Sequence, residues 1–425
     1  MVIYRLFPIF YGSFTRGLPF YIRPSHYLAP TCNHKKLLLE DLPNYSIIMP
    51  LFMEQEVLEE LIENISAIKY PKDKMQVLIV LEEEDVIMQH SIKSIKLPEF
   101  FQVIIVPRSN IQTKGNACNY ALNFVKGEYC VIYDAEDKPD VYQLSKAVQK
   151  FHALDASYVC LQAKLNYYNW NENFLTKMFA IEYAILFDYV IPMLVKFNFS
   201  IPLGGTSNHF KTSVLKEIGG WDALNVTEDA ELGIRIKSSG FKVGIIDSYT
   251  LEEAPIHVRV WIKQRMRWMK GHLKTYLDLI SAISKRYQNT KKSQNVTTST
   301  LYNSCIMKIL DFVSISCLIG MPTIFFAISP IIFIVFFFAD LGEFTRTALR
   351  FSGIFGIMSI AALSFITMFN KNLNIETKLW FLFPIYFVLH SVASLFSIYQ
   401  LYKAPFFWNK TPHGLSKKRR YISDK

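Results

Sequence analysis

The chain has 425 residues, more than one ordinary domain needs and enough for two. Hydrophobic residues make up 51% and aromatic residues 15%, rich for a soluble protein, so a part in contact with a membrane is expected. A net charge of +10 admits nucleic acid, an anionic bilayer or an anionic substrate as partner, and the apolar blocks further along favour the last two. The six cysteines form no CxxC pair and no zinc spacing, which fits reduced structural thiols facing a cytosolic compartment.

Within the arm at 1–42, residues 1–30 are aromatic but interrupted by Arg5, Pro8, Arg16, Pro19, Arg23 and Pro24. No clean apolar core or cleavage site follows, so the segment reads as an interfacial arm or a surface extension rather than a signal peptide.

From 43 to 284 the pattern alternates. Tyr45 to Met49 is an apolar run closed by Pro50 and reads as a buried strand. Residues 54–68 carry Val57, Leu58, Leu61, Ile62 and Ile65 at helical spacing. Strands are expected at 75–81, 101–106 and 129–133, with a helix over 115–126. Strands alternating with helices imply βαβ units and a mostly parallel sheet covered on both faces, with ligands at the carboxyl ends of the strands.

Asp134-Ala135-Glu136-Asp137 follows the strand at 129–133. Carboxylates placed there can hold Mg²⁺ or Mn²⁺, hard cations that share oxygen ligands with a diphosphate. Taken alone, the same loop is equally a solvated turn. Thr227-Glu228-Asp229 is a second acidic group, suited to a general base or to a helix start with Thr227 as N-cap. Residues 174–197 are apolar but carry Lys177, Glu182, Asp188 and Lys196, which reads as a buried or amphipathic helix. Gln264, Arg267 and Trp268 share one helical face in a basic aromatic segment, where Arg267 can fork onto phosphate and Trp268 can stack on a sugar. A basic helix resting on the bilayer is the plainer reading of that segment by itself. Lys114 has a phosphate within its chemical reach, but neither a P-loop nor a dinucleotide fingerprint is present. Lone His209, His257 and His272 show no metal spacing.

Residues 285–303 are polar and aperiodic and read as a linker. Residues 305–338 form one apolar stretch, too long for a single span of roughly 20 residues. A break near Ser329-Pro330 would make it two. With 351–369 and 379–402 that gives about four helices over 304–402, an even number that leaves both the 43–284 domain and the basic tail at 403–425 in the cytosol; three spans with the tail outside is the alternative.

The ordered set is more specific than any member. Glu84-Asp85 after a strand, Asp134-Ala135-Glu136-Asp137, Thr227-Glu228-Asp229 and Gln264 to Trp268 resemble the D, DxD, TED and QxxRW series of family 2 glycosyltransferases. The resemblance is to bacterial membrane-bound members related to cellulose, chitin and hyaluronan synthases, and spans about residues 44–414. TKGNACNYAL (113–122), PLGGTSNHF (202–210), EEAP (252–255) and WNKTPHG (408–414) add to it. It implies an α/β GT-A fold and an inverting transfer from a nucleotide-diphosphate sugar, a UDP-sugar first, to a saccharide or lipid-linked acceptor. The transfer is processive or single, and a catalytically inactive membrane scaffold is the non-enzyme alternative. The resemblance further implies that Glu54, Glu84, Asp85, Lys114, Asp134 and Arg267 contact the donor, and that Asp134 and Glu136 hold Mg²⁺ or Mn²⁺. Asp229, with Glu228, would be the base, and Gln264, Trp268 and Trp221 would face the acceptor. The 408–414 segment would be a loop over the site. Glu84-Asp85 departs from the paired aspartates frequent in the family, and no counterpart of its N-terminal spans is expected within 1–42. The expected setting is a bacterial inner membrane with no nucleic-acid partner.

Overall fold

In the computed structural model the described residues are 41–290, 298–338 and 383–404, with 342, 343, 347, 414 and 416. The arm at 1–40, the apolar stretch at 351–369 and nearly all of the tail lie outside them.

The first half alternates: β1 (Tyr45–Leu51), α1 (Leu58–Ser66), β2 (Met75–Glu82), α2 (Val86–Lys93), β3 (Phe101–Val106), α3 (Lys114–Leu122) and β4 (Tyr129–Ile132). The second adds β5 (Lys138–Pro139), α4 (Gln143–Ala153), β6 (Tyr158–Tyr167) and α5 (Phe174–Ile185). A π turn at Leu186–Val190 carries α5 into α6 (Ile191–Lys196), followed by β7 (Asn208–Lys211), α7 (Thr212–Glu217), α8 (Glu228–Ser238) and β8 (Lys242–Glu252). One eight-stranded sheet results, in the order β3-β2-β1-β4-β7-β6-β8-β5. The pairs β1–β2, β1–β4, β2–β3 and β6–β8 are parallel, whereas β7 runs antiparallel to both β4 and β6, and β5 antiparallel to β8. The expected mixed, mostly parallel sheet is present, and its antiparallel strand β7 joins two parallel sets.

The apolar runs of β1, β2 and β4 are continuous because both faces are covered. Ile47, Met49, Val77, Ile79 and Val131 face one cluster with α1 and α4. Ile48, Leu78, Val80 and Ile132 face the other, with α3, α6 and α8. Successive residues point to opposite faces, so a one-residue slip would exchange the two clusters.

After the sheet come α9 (Val258–Thr290), α10 (Thr298–Ile315) and, through a π turn at Ser316–Gly320, α11 (Met321–Phe338); α12 is Phe383–Lys403. The segment expected as a linker is helical at both ends, since α9 continues to Thr290 and α10 begins at Thr298. The expected break at Ser329-Pro330 is absent: α11 passes through it with Pro330 inside. A proline in a helix interior costs about 3 kcal/mol, partly because it leaves the carbonyl four residues back without a donor. Here that carbonyl is Phe326 O, and the Ser329 hydroxyl donates to it at 3.0 Å.

Among the described residues three helices are long and apolar enough to cross a membrane: Phe174–Lys196, Met307–Ile332 and Ile385–Lys403. The first has 72% of its apolar window buried inside the protein, against 39% and 33% for the others, in keeping with a buried helix under the sheet domain. Its lower face joins Trp261, Met269, Phe326 and Tyr386 in a cluster that fastens α9, α11 and α12 to the domain.

Candidate active site

The carboxyl ends of β1 and β4, the first turns of α3 and α8, and one face of α9 enclose a single cavity of about 820 Å³. Glu54, Lys114, Asp134, Glu136, Glu228, Asp229, Gln264, Arg267 and Trp268 all line it.

The loop after β4 is a tight turn in which Asp137 N–H donates to Asp134 O at 3.2 Å. The Asp137 carboxylate accepts from Asp134 N–H at 2.6 Å and from the Thr206 hydroxyl. Asp137 is fully buried and locks the turn, leaving Asp134 and Glu136 on the cavity wall. Asp134 pairs with Lys114 Nζ at 2.5 Å, and that ammonium also donates to Gly205 O at 2.7 Å. Burial alone would push the Lys114 pKa down, but Asp134 and Glu228 beside it hold it well above its ordinary value.

Gly205 marks where the groups meet. A Cβ built there would lie 3.3 Å from Asp229 Oδ2, 3.9 Å from Asp134 Oδ2 and 4.0 Å from Lys114 Nζ. Residues far apart in sequence, Lys114 and Asp134 on one side and Asp229 on the other, thus converge around one side-chain-free position. Asp229 lies in the first turn of α8, where Thr227 holds the N-cap position without making the side-chain cap. Thr227 bonds instead to Asn225 Oδ1 through its N–H, at 3.1 Å, and its hydroxyl. Burial raises the pKa of both acids; Glu228 is pushed up to about 7, with Asp229 adding to burial and Lys114 opposing.

The facing wall is α9. Gln264 Oε1 and Arg267 Nε are buried without a hydrogen-bond partner among the described residues. Trp268 stacks on Phe179 at 5.9 Å and 17°. Arg265, between them in sequence, also lines the cavity, donates to the Glu182 carboxylate and lies over the Phe179 ring at 4.2 Å and the Trp268 ring at 5.0 Å.

Glu84, Asp85 and Trp221 do not line the cavity. Asp85 caps α2 through Met88 N–H at 3.1 Å and accepts from Met53 N–H at 2.5 Å, fixing the left-handed Met53 (φ 52°) in the loop that carries Glu54. Glu84 pairs with Arg108 at 2.6 Å and accepts from Gln112 at 2.8 Å, steadying the 110–113 loop on the cavity rim. Trp221 is a core residue, edge-on to Phe210 at 5.9 Å and tied by its backbone N–H and C=O to the Asn119 side chain.

Glu252 also lines the cavity and was not singled out from the sequence, although it opens the EEAP segment. Burial and then Asp137, Glu136 and Asp134 raise its carboxyl far above the ordinary range, and burial and Asp134 do the same for Glu136. So many acids around one point, with Lys114 as the cation beside them, is a site short of positive charge. No three His, Cys, Asp or Glu stand in metal-holding geometry among the described residues. Asp134 and Glu136 therefore offer an oxygen-only partial set, which suits Mg²⁺ or Mn²⁺ completed by phosphate and water. The residues present fit such a cation.

The mixed sheet, in which antiparallel β7 joins two parallel sets, with acids at the carboxyl ends of β1 and β4, is a GT-A-like glycosyltransferase fold. The chain belongs to the family described as Glycosyltransferase like family 2, which it matches over residues 43–271. It is 25% identical over 258 residues to a probable glycosyltransferase, YdaM, of Bacillus subtilis (strain 168), covering 58% of this chain and 59% of that protein. It is 25% identical over 279 residues to the beta-monoglucosyldiacylglycerol synthase of Trichormus variabilis, covering 64% of this chain and 57% of that one. The chain thus matches a little over half the length of these relatives. A mannosyltransferase from Pyrobaculum calidifontis, solved in complex with GDP-Man and Mn²⁺, shares the fold at a TM-score of 0.50 and 15% identity, covering 95% of this chain and 97% of that one.

Proposed function

We propose that the protein transfers a sugar from a nucleoside-diphosphate sugar to an acceptor hydroxyl at a membrane, with inversion at the anomeric carbon. The observation that carries this reading is the convergence of Lys114, Asp134 and Asp229 on Gly205, opposite Arg267 and Trp268. Lys114 and Arg267 take the diphosphate, Lys114 as a compact charge and Arg267 as a planar fork. Trp268 supplies an apolar face for the acceptor. Asp229 accepts the hydroxyl proton as the acceptor oxygen bonds to the anomeric carbon. The bond from that carbon to the diphosphate oxygen breaks in the same step, and the electron pair leaves with the nucleotide. Asp134 and Glu136 would hold a divalent cation, which would supply positive charge against the departing diphosphate. Glu54 sits at the end of β1 where the nucleoside enters, and Glu84 and Asp85 act through the loops they hold.

The setting proposed is a bacterial inner membrane with the sheet domain in the cytosol. It is supported by the two least buried apolar helices and by the basic run Lys417 to Arg420. The acceptor is a saccharide or a lipid; the name of the Trichormus relative favours trying lipids early.

The test uses the full chain in membranes with UDP- and GDP-sugars, Mg²⁺ or Mn²⁺, and scoring of nucleoside diphosphate release and product linkage. The expected result is metal-dependent release with an inverted linkage, lost in Asp229→Asn with nucleotide binding retained. Absence of donor binding to the wild-type chain across the panel would remove the reading. A product ladder would assign processive extension, as in the synthases whose motifs the sequence resembles; a single product would assign one transfer.

A further inference from the structure

One loop of the cavity wall is held from outside the sheet domain. It runs from α6 to β7 and carries Gly205 to the point where Lys114, Asp134 and Asp229 meet. Its far end is fixed by the domain itself. Gly204 N–H donates to Gln162 Oε1 at 2.8 Å, Asn208 Nδ2 donates to Gly204 O at 2.6 Å, and Lys114 Nζ donates to Gly205 O at 2.7 Å. Its middle lies backbone to backbone on α8, where a Cβ on Gly233 would stand 2.0 Å from Ile201 O. Its near end is fixed by a different layer. Asp311 of α10 accepts from Ser200 N–H at 2.6 Å and from the Ser200 hydroxyl at 2.9 Å, one bond to each carboxylate oxygen. Ser200 is buried, so removing Asp311 would leave two donors without an acceptor.

Asp311 stands out against its surroundings. It belongs to the apolar helix Met307–Ile332, in which Lys308 is the other charged residue. An ionisable group in such a helix is costly and marks a site of use. Attaching the helix does not require it, because Ile315 and Ile319 already pack with Ile234 of α8 and with Leu273 and Tyr276 of α9. Apolar contact of that kind is non-directional. Two bonds from one serine to one carboxylate have direction, and they set where the loop begins relative to α10.

We propose that Asp311 is a positioning residue: it ties the seat of α10 to the Ser200–Gly205 loop, and through that loop to the spacing of Lys114 and Asp229 around Gly205. This rests on the glycosyl-transfer reading above and adds to it a residue that acts on the site without touching it, since Asp311 does not line the cavity. The loop is short, with four residues between Ser200 and Gly205. It is pinned at both ends, so a displaced Ser200 is transmitted to Gly205. A shift of about 1 Å among the reacting groups is worth on the order of a hundredfold in rate.

The experiment has two arms, so that failure of the transfer reading and failure of this one are distinguishable. In the first, the full chain in phosphatidylcholine nanodiscs is assayed with the sugar nucleotide that the panel above identifies. Asp311→Ala should lower kcat by about tenfold or more while the donor KM stays within about threefold. Asp311→Asn should keep kcat within about threefold of wild type, because its Oδ1 still accepts from Ser200 N–H and its Nδ2 can donate to the hydroxyl. Ser200→Ala removes one bond and no charge and should lower kcat by about threefold, with no further loss when it is added to Asp311→Ala. An unchanged kcat in Asp311→Ala, or equal losses in the alanine and asparagine variants, would overturn the proposal while leaving glycosyl transfer standing.

The second arm needs no turnover. Hydrogen exchange is followed at Gly204 N–H, four residues from the lost contact. In Asp311→Ala this amide should exchange faster by about tenfold or more, with the amides of β1 unchanged. Unchanged exchange at Gly204 would overturn the proposal, because the loop would then be held without Asp311. Faster exchange throughout the sheet would overturn it as well, since Asp311 would then serve general stability. If Asp311→Ala does not fold, Ser200→Ala reads the same amide, with a rise of about threefold expected and no change counting against the proposal.

Discussion

Thr227 lies directly over the Cα of Gly271: a methyl group added to Gly271 would come within 2.3 Å of Thr227 Oγ1. One turn further along α9, Asn225 Nδ2 donates to Thr275 Oγ1 at 2.8 Å. These two contacts set the distance between the acids of α8 and the Arg267–Trp268 face of α9.

Gly271→Ala should therefore push α9 away from Asp229. Helix propensity favours alanine by about 1 kcal/mol, but a 2.3 Å contact has to be relieved by backbone movement, and the clash wins. Misplacement by about 1 Å is worth on the order of a hundredfold in rate. The expected outcome is a kcat lower by about that factor with the nucleotide Kd nearly unchanged. Thr227→Ala in the same chain should recover part of the loss, and a double-mutant cycle on nucleotide release measures the coupling.

The two acids of α8 are expected to separate by role. Asp229→Asn removes the proton acceptor and should lower kcat by about 10²–10⁴. Glu228→Gln should act on stability instead. The Glu228 carboxyl is raised to about 7 by burial and by Asp229, so the folded protein favours its protonated form. Above the unfolded value of about 4.5 the unfolded chain releases this proton first. Glu228 thus contributes a loss of stability that grows from about pH 4.5 to about pH 7 and is then constant, at most about 3 kcal/mol. The Tm difference between Glu228→Gln and wild type in detergent should rise in favour of the variant across that window and level off above it. A difference independent of pH would remove the assignment.

How much of this was legible in the sequence depended on periodicity. The strand at 75–82 announces itself because both faces are buried and residues 77–81 are an unbroken apolar run, and the edge strand at 101–106 because its run stays apolar except for Gln102, although Gln102 and Ile105 are exposed. β7 (Asn-His-Phe-Lys) and β8 do not, because several polar residues in and beside them are paired inside the protein. His209 is held by Tyr45 and Gln143, and Ser207 and Thr250 by each other, partners that no local pattern encodes. The cavity acids were found through motif order, whereas Asp85 and Trp221 sit in the same motifs and hold loops and core instead. Gly205 and Glu252 could have been read from the GG and EE doublets, but a glycine shows its use only when its three neighbours are known. Pro330 misled in the opposite direction, since the serine before it fills the carbonyl that proline leaves open.

Gly205→Ala tests the convergence directly. The new methyl carbon would stand 3.3 Å from Asp229 Oδ2, tight but not prohibitive, in space that a reacting sugar needs. Folding should survive, and Tm should stay close to wild type. Activity should drop on the order of tenfold or more, because the displaced carboxylate loses its line to the acceptor. Unchanged kcat and KM would mean that the reacting atoms lie elsewhere in the cavity.

Glu253, one residue beyond the cavity acid Glu252, ties the end of the chain to the catalytic domain. Its Oε2 accepts from Gly414 N–H at 2.8 Å and from Tyr168 Oη at 2.9 Å, and its Oε1 accepts from Ser416 N–H at 2.8 Å. Gly414 is left-handed at φ 81°, a conformation that lets both amides reach one carboxylate at little steric cost. Hydrogen bonds to an ionised acceptor contribute about 1.5–3 kcal/mol each, so Glu253→Ala should release the segment. The basic run Lys417 to Arg420 should then be cut by trypsin faster than in wild type, by on the order of tenfold or more if release is complete. Glu253→Gln keeps one acceptor oxygen and should fall between the two. Nucleotide binding should be retained in both variants, because Glu253 itself does not line the cavity. Identical cleavage rates in all three chains would show that the segment is held by contacts other than this carboxylate.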